Sequence, residues 1–472
     1  MNQISRTFVL VGLVVIILLA AHFLPSFKIG DNELRRVNLL SEVIPEPHLD
    51  YGATDIPQIP DVPMAPIASS ADSSLVSDST LVADSAAQNK SQAVTPQGVT
   101  MISDYAQGPS GGMRHFYAQL SRVKELNRPV RIAYFGDSFI EGDILSCDLR
   151  EQLQTRFGGN GVGWVDCASQ VYGFRQTVHH SFSGLQEYEV VKKPFNTSVQ
   201  GIAQRYFVVD GPGASFQYQG ATARKHLGSW QKATFFFRTP GSFSLATRIN
   251  GDTTICEQVQ GDGQLQILTQ RYPSMRKINY TVSDASKDTY LYGVALESNQ
   301  GVIVDNFSMR GSSGITLGSI PSSVLREFAV YRPYDLIIVH FGLNVASEKS
   351  QAGNYKAYTN QMGQVIKHLR QAYPEASVLV VSMSDRDQRT SAGIHTMIGV
   401  ESLVAYQQIM AAHEQVAFFN LFQAMGGRES MKTLVDKGLA NKDYTHLSFA
   451  GGRKLATYLV ESILAGYDNY KQ

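Results

Sequence analysis

The hydrophobic period changes twice along this chain, and no other feature constrains its fold as much. "RPVRIAYFGDSFIEGDILSCDLREQLQTRF" opens with an apolar, β-branched run. It continues with apolar residues at helical spacing: Ile144, Leu145, Leu149, Leu153 and Phe157. From about 178 to 300 the period falls to two. "KATFFFRTPGSFSLATRING", "QLQILTQRY", "KINYTVSD" and "DTYLYGVALES" are short alternating runs divided by Gly, Asn, Asp and Pro, as in a β-sandwich. After Ile320 strand and helix patterns alternate again, from "SSVLREFAVY" and "YDLIIVHFG" to the closing "AGGRKLATYLVESILAGY". Such alternation builds a parallel sheet covered on both faces. The expectation is an α/β domain formed by residues 106–178 and 301–472, with an all-β sandwich at 179–300 inserted after its first strand and helix.

The N-terminal part differs. "MNQISRTFVLVGLVVIILLAAHFLPSF" has no charge from Thr7 to Phe27, and an uncharged run of roughly 20 residues can span a bilayer. It lacks a good small-residue cleavage site, so residues 1–27 read as an uncleaved signal anchor, a transmembrane helix in the inner membrane. Lys28, Arg35 and Arg36 follow the run and Arg6 precedes it, a count that places the body of the chain inside. A very short tail before the run and a long polar linker after it favour the opposite, a periplasmic catalytic domain, or an exported one if the segment is cleaved. Residues 28–105 read as that linker. From Ile56 to Gly98 they are rich in Pro, Ser, Ala and Asp, too poor in apolar surface to offset the entropy of ordering.

Formal net charge is zero, which argues against a bulk nucleic-acid binder. The three cysteines, Cys147, Cys167 and Cys256, match no zinc spacing. Cys147 and Cys167 could pair in an exported chain, but they read more simply as small buried residues. No cofactor or metal is expected. "GGNGVGWVD" looks like a phosphate loop, yet it follows a helix and its spacing is wrong for one.

In open α/β sheets, sites form outside the carboxyl ends of the strands. Ser138 of "GDS" sits at such an end. A serine nucleophile needs a base in hydrogen-bond reach, an acid to orient that base, and donors for an oxyanion. "KDYTHLSFAGG" supplies Asp443 and His446 three residues apart, just before the last helix. "IIVHFGLNVASE" ends a strand with Asn344 and "VDNFSMRGSSG" offers the Gly311 backbone N–H, both candidate oxyanion donors. Each block also has a bland reading as a turn or a helix cap. His340, inside an apolar strand, reads as a satisfied core residue. His179 and His180 have no carboxylate or Cys cluster beside them, so a metal role is not expected.

In this order the four blocks resemble the SGNH (or GDSL) hydrolase family. The resemblance implies a three-layer α/β/α, flavodoxin-like core with Ser138 as nucleophile, Asp443 and His446 completing a triad, and the Ser138 N–H, Gly311 and Asn344 forming an oxyanion hole. Two positions depart from the family pattern. Val345 stands where an Asp is usual, and Met309 where an Asn often precedes the glycine. "GDSFIEGDIL" and the inserted β module further resemble exported carbohydrate O-acetylesterases, including those of peptidoglycan. The resemblance implies that the module grips an acetylated polysaccharide or peptidoglycan while the core removes acetyl. The aromatics Trp230, Phe235, Phe236 and Phe237 suit sugar stacking, though at strand spacing they suit a core better. A polysaccharide O-acetyltransferase using the same triad and a non-catalytic glycan-binding protein are the alternatives.

Overall fold

The computed structural model describes residues 95–106, 112–350 and 352–472, together with an antiparallel pair formed by Lys28–Ile29 and Asn32–Glu33. The expected membrane span at 1–27 and most of the expected linker lie outside the described residues.

One sheet positions the site. Its strands in chain order are β1 (Ser103–Asp104), β2 (Val130–Gly136), β3 (Val302–Ser308), β4 (Leu336–His340), β5 (Ser377–Val381) and β6 (Ala417–Phe419). Their spatial order is β3-β2-β4-β5-β6-β1, with only the short edge strand β1 antiparallel. Every residue of β2, β4 and β5 is buried, which explains their unbroken apolar runs. The helices are α1 (Arg114–Ser121), α2 (Ser146–Phe157), α3 (Ser322–Tyr331), α4 (Ala352–Ala372), α5 (Val400–His413), α6 (Leu421–Met425), α7 (Ser430–Asp436) and α8 (Phe449–Lys471). α2 packs on α8, and α4 packs on both α3 and α5.

Between β2 and β3 the chain builds two antiparallel sheets. One orders Leu265–Met275, Trp230–Arg238, Tyr290–Glu297, Arg205–Val209 and Leu185–Glu189. The other orders Thr253–Gln260, Ser242–Ile249, Lys277–Ser283, Gly213–Gly220 and Val178–Ser183. A further strand, Gly163–Asp166, pairs with Tyr290–Glu297 ahead of the expected start at 179. It includes part of the stretch that looks like a phosphate loop.

The expected fold class therefore needs correction. Antiparallel pairing predominates, so the described chain is mixed α/β rather than chiefly a parallel three-layer core. No helix among the described residues is long and apolar enough to cross a membrane, so nothing described supports the expected transmembrane helix, whose residues 1–27 lie outside them. The two longest, α4 and α8, carry charged residues, among them Lys356, Lys367 and Arg370 of α4 and Arg453, Lys454, Glu461 and Asp468 of α8. The aromatic reading also changes. Trp230, Phe235, Phe236 and Phe237 are all buried and cannot offer a face to sugar. Phe235 and Phe237 fill the sandwich, while Phe236 points the other way and stacks on Phe328 of α3 at 5.7 Å. Burying a side chain of that size contributes roughly 1.5–3 kcal/mol.

A buried ionic cluster adds to this junction. Glu297 of the module meets Arg131 of β2 at 2.8 Å, Arg332 after α3 at 3.0 Å, and Lys232 of the module. Arg332 also forks onto Asp305 of β3, whose Oδ1 accepts the Trp164 N–H at 2.8 Å. Burial alone would raise the Glu297 carboxyl, but the surrounding cations hold it well below the usual range.

Candidate active site

Gly136 of β2 is level with both Ser308 of β3 and His340 of β4. The three strands thus end together, and the turns that follow them carry Ser138, Gly311 and Asn344 at one edge of the sheet. His446 enters from the loop before α8. Its Nε2 accepts the Ser138 hydroxyl at 3.1 Å, and its Nδ1–H donates to Asp443 Oδ2 at 2.8 Å. The second Asp443 oxygen accepts the backbone N–H groups of Thr445 and His446, each at 3.0 Å. Burial alone would raise the Asp443 carboxyl, but the backbone and ring hydrogen bonds of His446 lower it, so it remains an anion. The loop is held from outside by the Asp387 N–H, which donates to the Tyr444 carbonyl at 3.1 Å.

The side chains of His446 and Asp443 are 42% and 49% exposed, so both are open to solvent. Asn344 is exposed, and its amide donates one N–H to the Ser312 carbonyl at 2.9 Å. That bond joins the Asn344 turn to the Gly311 turn and fixes the direction of the remaining amide N–H. Gly311 has φ +77, a left-handed conformation with open space on its Cβ side, so conformation rather than crowding demands glycine. Beside it, Arg310 pairs with Glu141 of the serine loop.

Three supporting residues were not singled out from the sequence. Asp137 is almost fully buried beside Ser138. Its Oδ1 accepts the Phe139 N–H at 2.9 Å, while burial raises its carboxyl to about 6 against the pull of nearby backbone N–H groups and His446. Asn306 of β3 donates to the Ile140 carbonyl and to Ser146 Oγ, both at 2.7 Å, tying the serine loop to its neighbouring strand. Arg386 donates to the Leu343 carbonyl at 2.9 Å and so braces the Asn344 turn. The Asp305–Asn306 pair interrupting an apolar strand was the one visible signal.

The remaining sequence candidates stand apart from this site. His340 is buried, its Nδ1 is 2.9 Å from the Tyr134 hydroxyl, and desolvation lowers it to about 3. His180 is buried against the Cys167 carbonyl and lowered to about 4 by desolvation, while His179 is exposed. Cys147 and Cys167 are buried free thiols in the sandwich core, and Cys256 is free and exposed. Among the described residues no group of His, Cys, Asp and Glu could hold a metal.

No family model matches the chain, and neither does any curated protein. Solved structures do match. One described as "Peptidoglycan O-acetylesterase in action" superposes with a TM-score of 0.61 at 20% identity, covering 77% of this chain and 98% of that one. The two share a fold. That likeness spans core and module together. A family two carbohydrate esterase from Cellvibrio japonicus aligns over 61% of this chain and 98% of its own at 10% identity. Its TM-score of 0.23 is too low to carry an argument.

Proposed function

We propose that this protein is a serine esterase that removes O-acetyl groups from a cell-envelope or extracellular polysaccharide, peptidoglycan foremost. The observation that carries this reading is the hydrogen-bonded chain from the Ser138 hydroxyl through His446 to Asp443. The shared fold with a structure described as a peptidoglycan O-acetylesterase supports the choice of substrate.

In this mechanism Ser138 Oγ attacks the acetyl carbonyl carbon while its proton passes to His446 Nε2. Asp443 stabilises the resulting imidazolium and keeps the ring in the productive tautomer. The tetrahedral oxyanion is received by the backbone N–H groups of Ser138 and Gly311 and by the free N–H of the Asn344 amide. The carbon–oxygen bond to the sugar then breaks. His446 returns its proton to the departing sugar hydroxyl, leaving acetyl on Ser138. Water, deprotonated by His446, attacks that ester and releases acetate, and the proton returns to Ser138. Because such polymers lie outside the cytoplasm, the reading also places the enzyme there.

The test is acetate release from O-acetylated peptidoglycan by the purified protein. The wild type should release acetate without an added acceptor, which separates hydrolysis from transfer, and Ser138→Ala should not. Acetate release by Ser138→Ala at the wild-type rate would sink the mechanism.

A further inference from the structure

Phe174 is half exposed, yet its ring packs against two other residues. Its ring lies 5.1 Å from that of Phe449, three residues after His446, and covers Gly142, four residues after Ser138. Gly142 has φ +63, and a Cβ there would sit 2.6 Å from the Phe174 ring. One ring therefore touches both loops that carry the reactive pair.

The turn bearing it is anchored by the next residue. Arg175 Nη2 reaches the buried Asp143 Oδ2 at 2.7 Å, and Asp143 also binds Arg150, Ser146 and Thr177. Burial alone would raise the Asp143 carboxyl, but Arg150 and Arg175 hold it far below the usual range. Nothing in the core requires an aromatic ring to be presented outward by such an anchor.

Immediately beside it lies a cavity of about 270 Å³ between core and module, close in size to the smaller ligand pockets. Glu141 and Arg310 reach it from the core, and Glu187, Glu189 and Arg205 from the module. Two of its buried polar atoms have no hydrogen-bond partner: Arg205 Nε, a donor, and Glu187 Oε1, an acceptor. The cation nearest Glu187 Oε1 is Arg205 Nη1, at 3.7 Å. Single exposed apolar residues are ordinary on protein surfaces. Here, however, three of the six large ones among the described residues, Tyr172, Phe174 and Val191, belong to the cavity wall or to the turn that forms it.

We propose that Phe174 is the platform on which a pyranose ring of the glycan stacks beside Ser138, the adjoining cavity binding the hydroxyl or acetamido groups of the neighbouring sugar. The inference rests on the esterase reading above and names the subsite that would position the polymer. A planar apolar ring suits the C–H face of a sugar, and an unfilled donor and acceptor suit its polar substituents.

The test compares kinetics on soluble O-acetylated peptidoglycan fragments with kinetics on ethyl acetate. Phe174→Ala and Phe174→Leu should raise KM for the fragments about three- to ten-fold, with kcat little changed. The preference for fragments over ethyl acetate should fall by the same factor. Phe174→Tyr should restore both. If Phe174→Leu behaves as wild type, the ring only packs on Gly142 and Phe449, and the platform is overturned. Equal effects on both substrates would overturn it too. If the wild type releases no acetate from the fragments, the esterase reading fails by itself. Binding of deacetylated fragments to Ser138→Ala and to Ser138→Ala/Phe174→Ala then decides the platform: weaker binding by the double variant supports it, and equal binding overturns it.

Discussion

Replacing the Ser138 hydroxyl by hydrogen removes one atom from a turn and leaves the sheet untouched. Ser138→Ala is therefore expected to abolish acetyl-ester turnover while the melting temperature stays within a degree or two of wild type (an order-of-magnitude expectation for a surface turn). Asn344→Ala should leave residual activity, since losing one oxyanion donor costs about 10²–10³ in kcat. Asp137 makes a different kind of prediction. Its folded carboxyl is raised to about 6 by burial, so between the ordinary carboxylate range and pH 6 the folded state holds a proton that the unfolded chain has lost. The stability this provides is complete below about pH 4 and lost as pH rises through about 6, a swing of at most about 3 kcal/mol. Asp137→Asn cannot titrate, so chemical denaturation at pH 4 and pH 7 should show a change in stability that differs between wild type and variant by this swing, the other carboxyls contributing equally to both. Ser138, Asp443 and His446 were legible in the sequence because each sits in a short block whose spacing carries its chemistry. Asp137, Asn306 and Phe174 were not. Their roles come from strands and loops far away in the chain that only the folded sheet brings near.

At the scale of elements, the serine loop and the turn bearing Phe174 are joined by Asp143. Asp143→Ala would leave Arg150 fully buried and Arg175 largely buried, both without this partner. Breaking such a buried pair costs about 3–5 kcal/mol, so the urea midpoint should fall steeply, and activity on glycan should fall even where the protein remains folded. The alternating runs showed where the antiparallel strands lie, since period two survives any choice of partner. The order of the strands was not readable, nor was the use of Gly163–Asp166 in the sandwich. That four-residue segment is too short to display a period, and the glycines leading into it suggested a loop. The aromatic run at Phe235–Phe237 shows the same limit. Alternation implies two faces, but that both are covered, one by the sandwich and one by α3, depends on packing across the junction.

On the scale of the whole molecule, that junction combines aromatic packing with the cluster around Glu297. Core and module are therefore expected to unfold as one unit, with near- and far-ultraviolet circular dichroism giving coincident thermal transitions. Glu297→Ala should lower stability by about 3–5 kcal/mol, because it strands Arg131 and Lys232 and leaves Arg332 with Asp305 alone. A wild type that melts in two separated steps would show that the junction does not couple them. The proposed site of action is open to a direct check as well. Alkaline phosphatase fused after Gly98 should be active if the enzyme works outside the cytoplasm, and silent if it does not.

Ser138 and His446 are 308 residues apart, with the whole module threaded between them. During synthesis Ser138, the proposed nucleophile, leaves the ribosome before the module does. His446, the proposed base, emerges only after the module has been made. On the proposed mechanism, a polypeptide that stops short of His446 could not cleave esters, and catalytic competence would certify that translation ran past that residue.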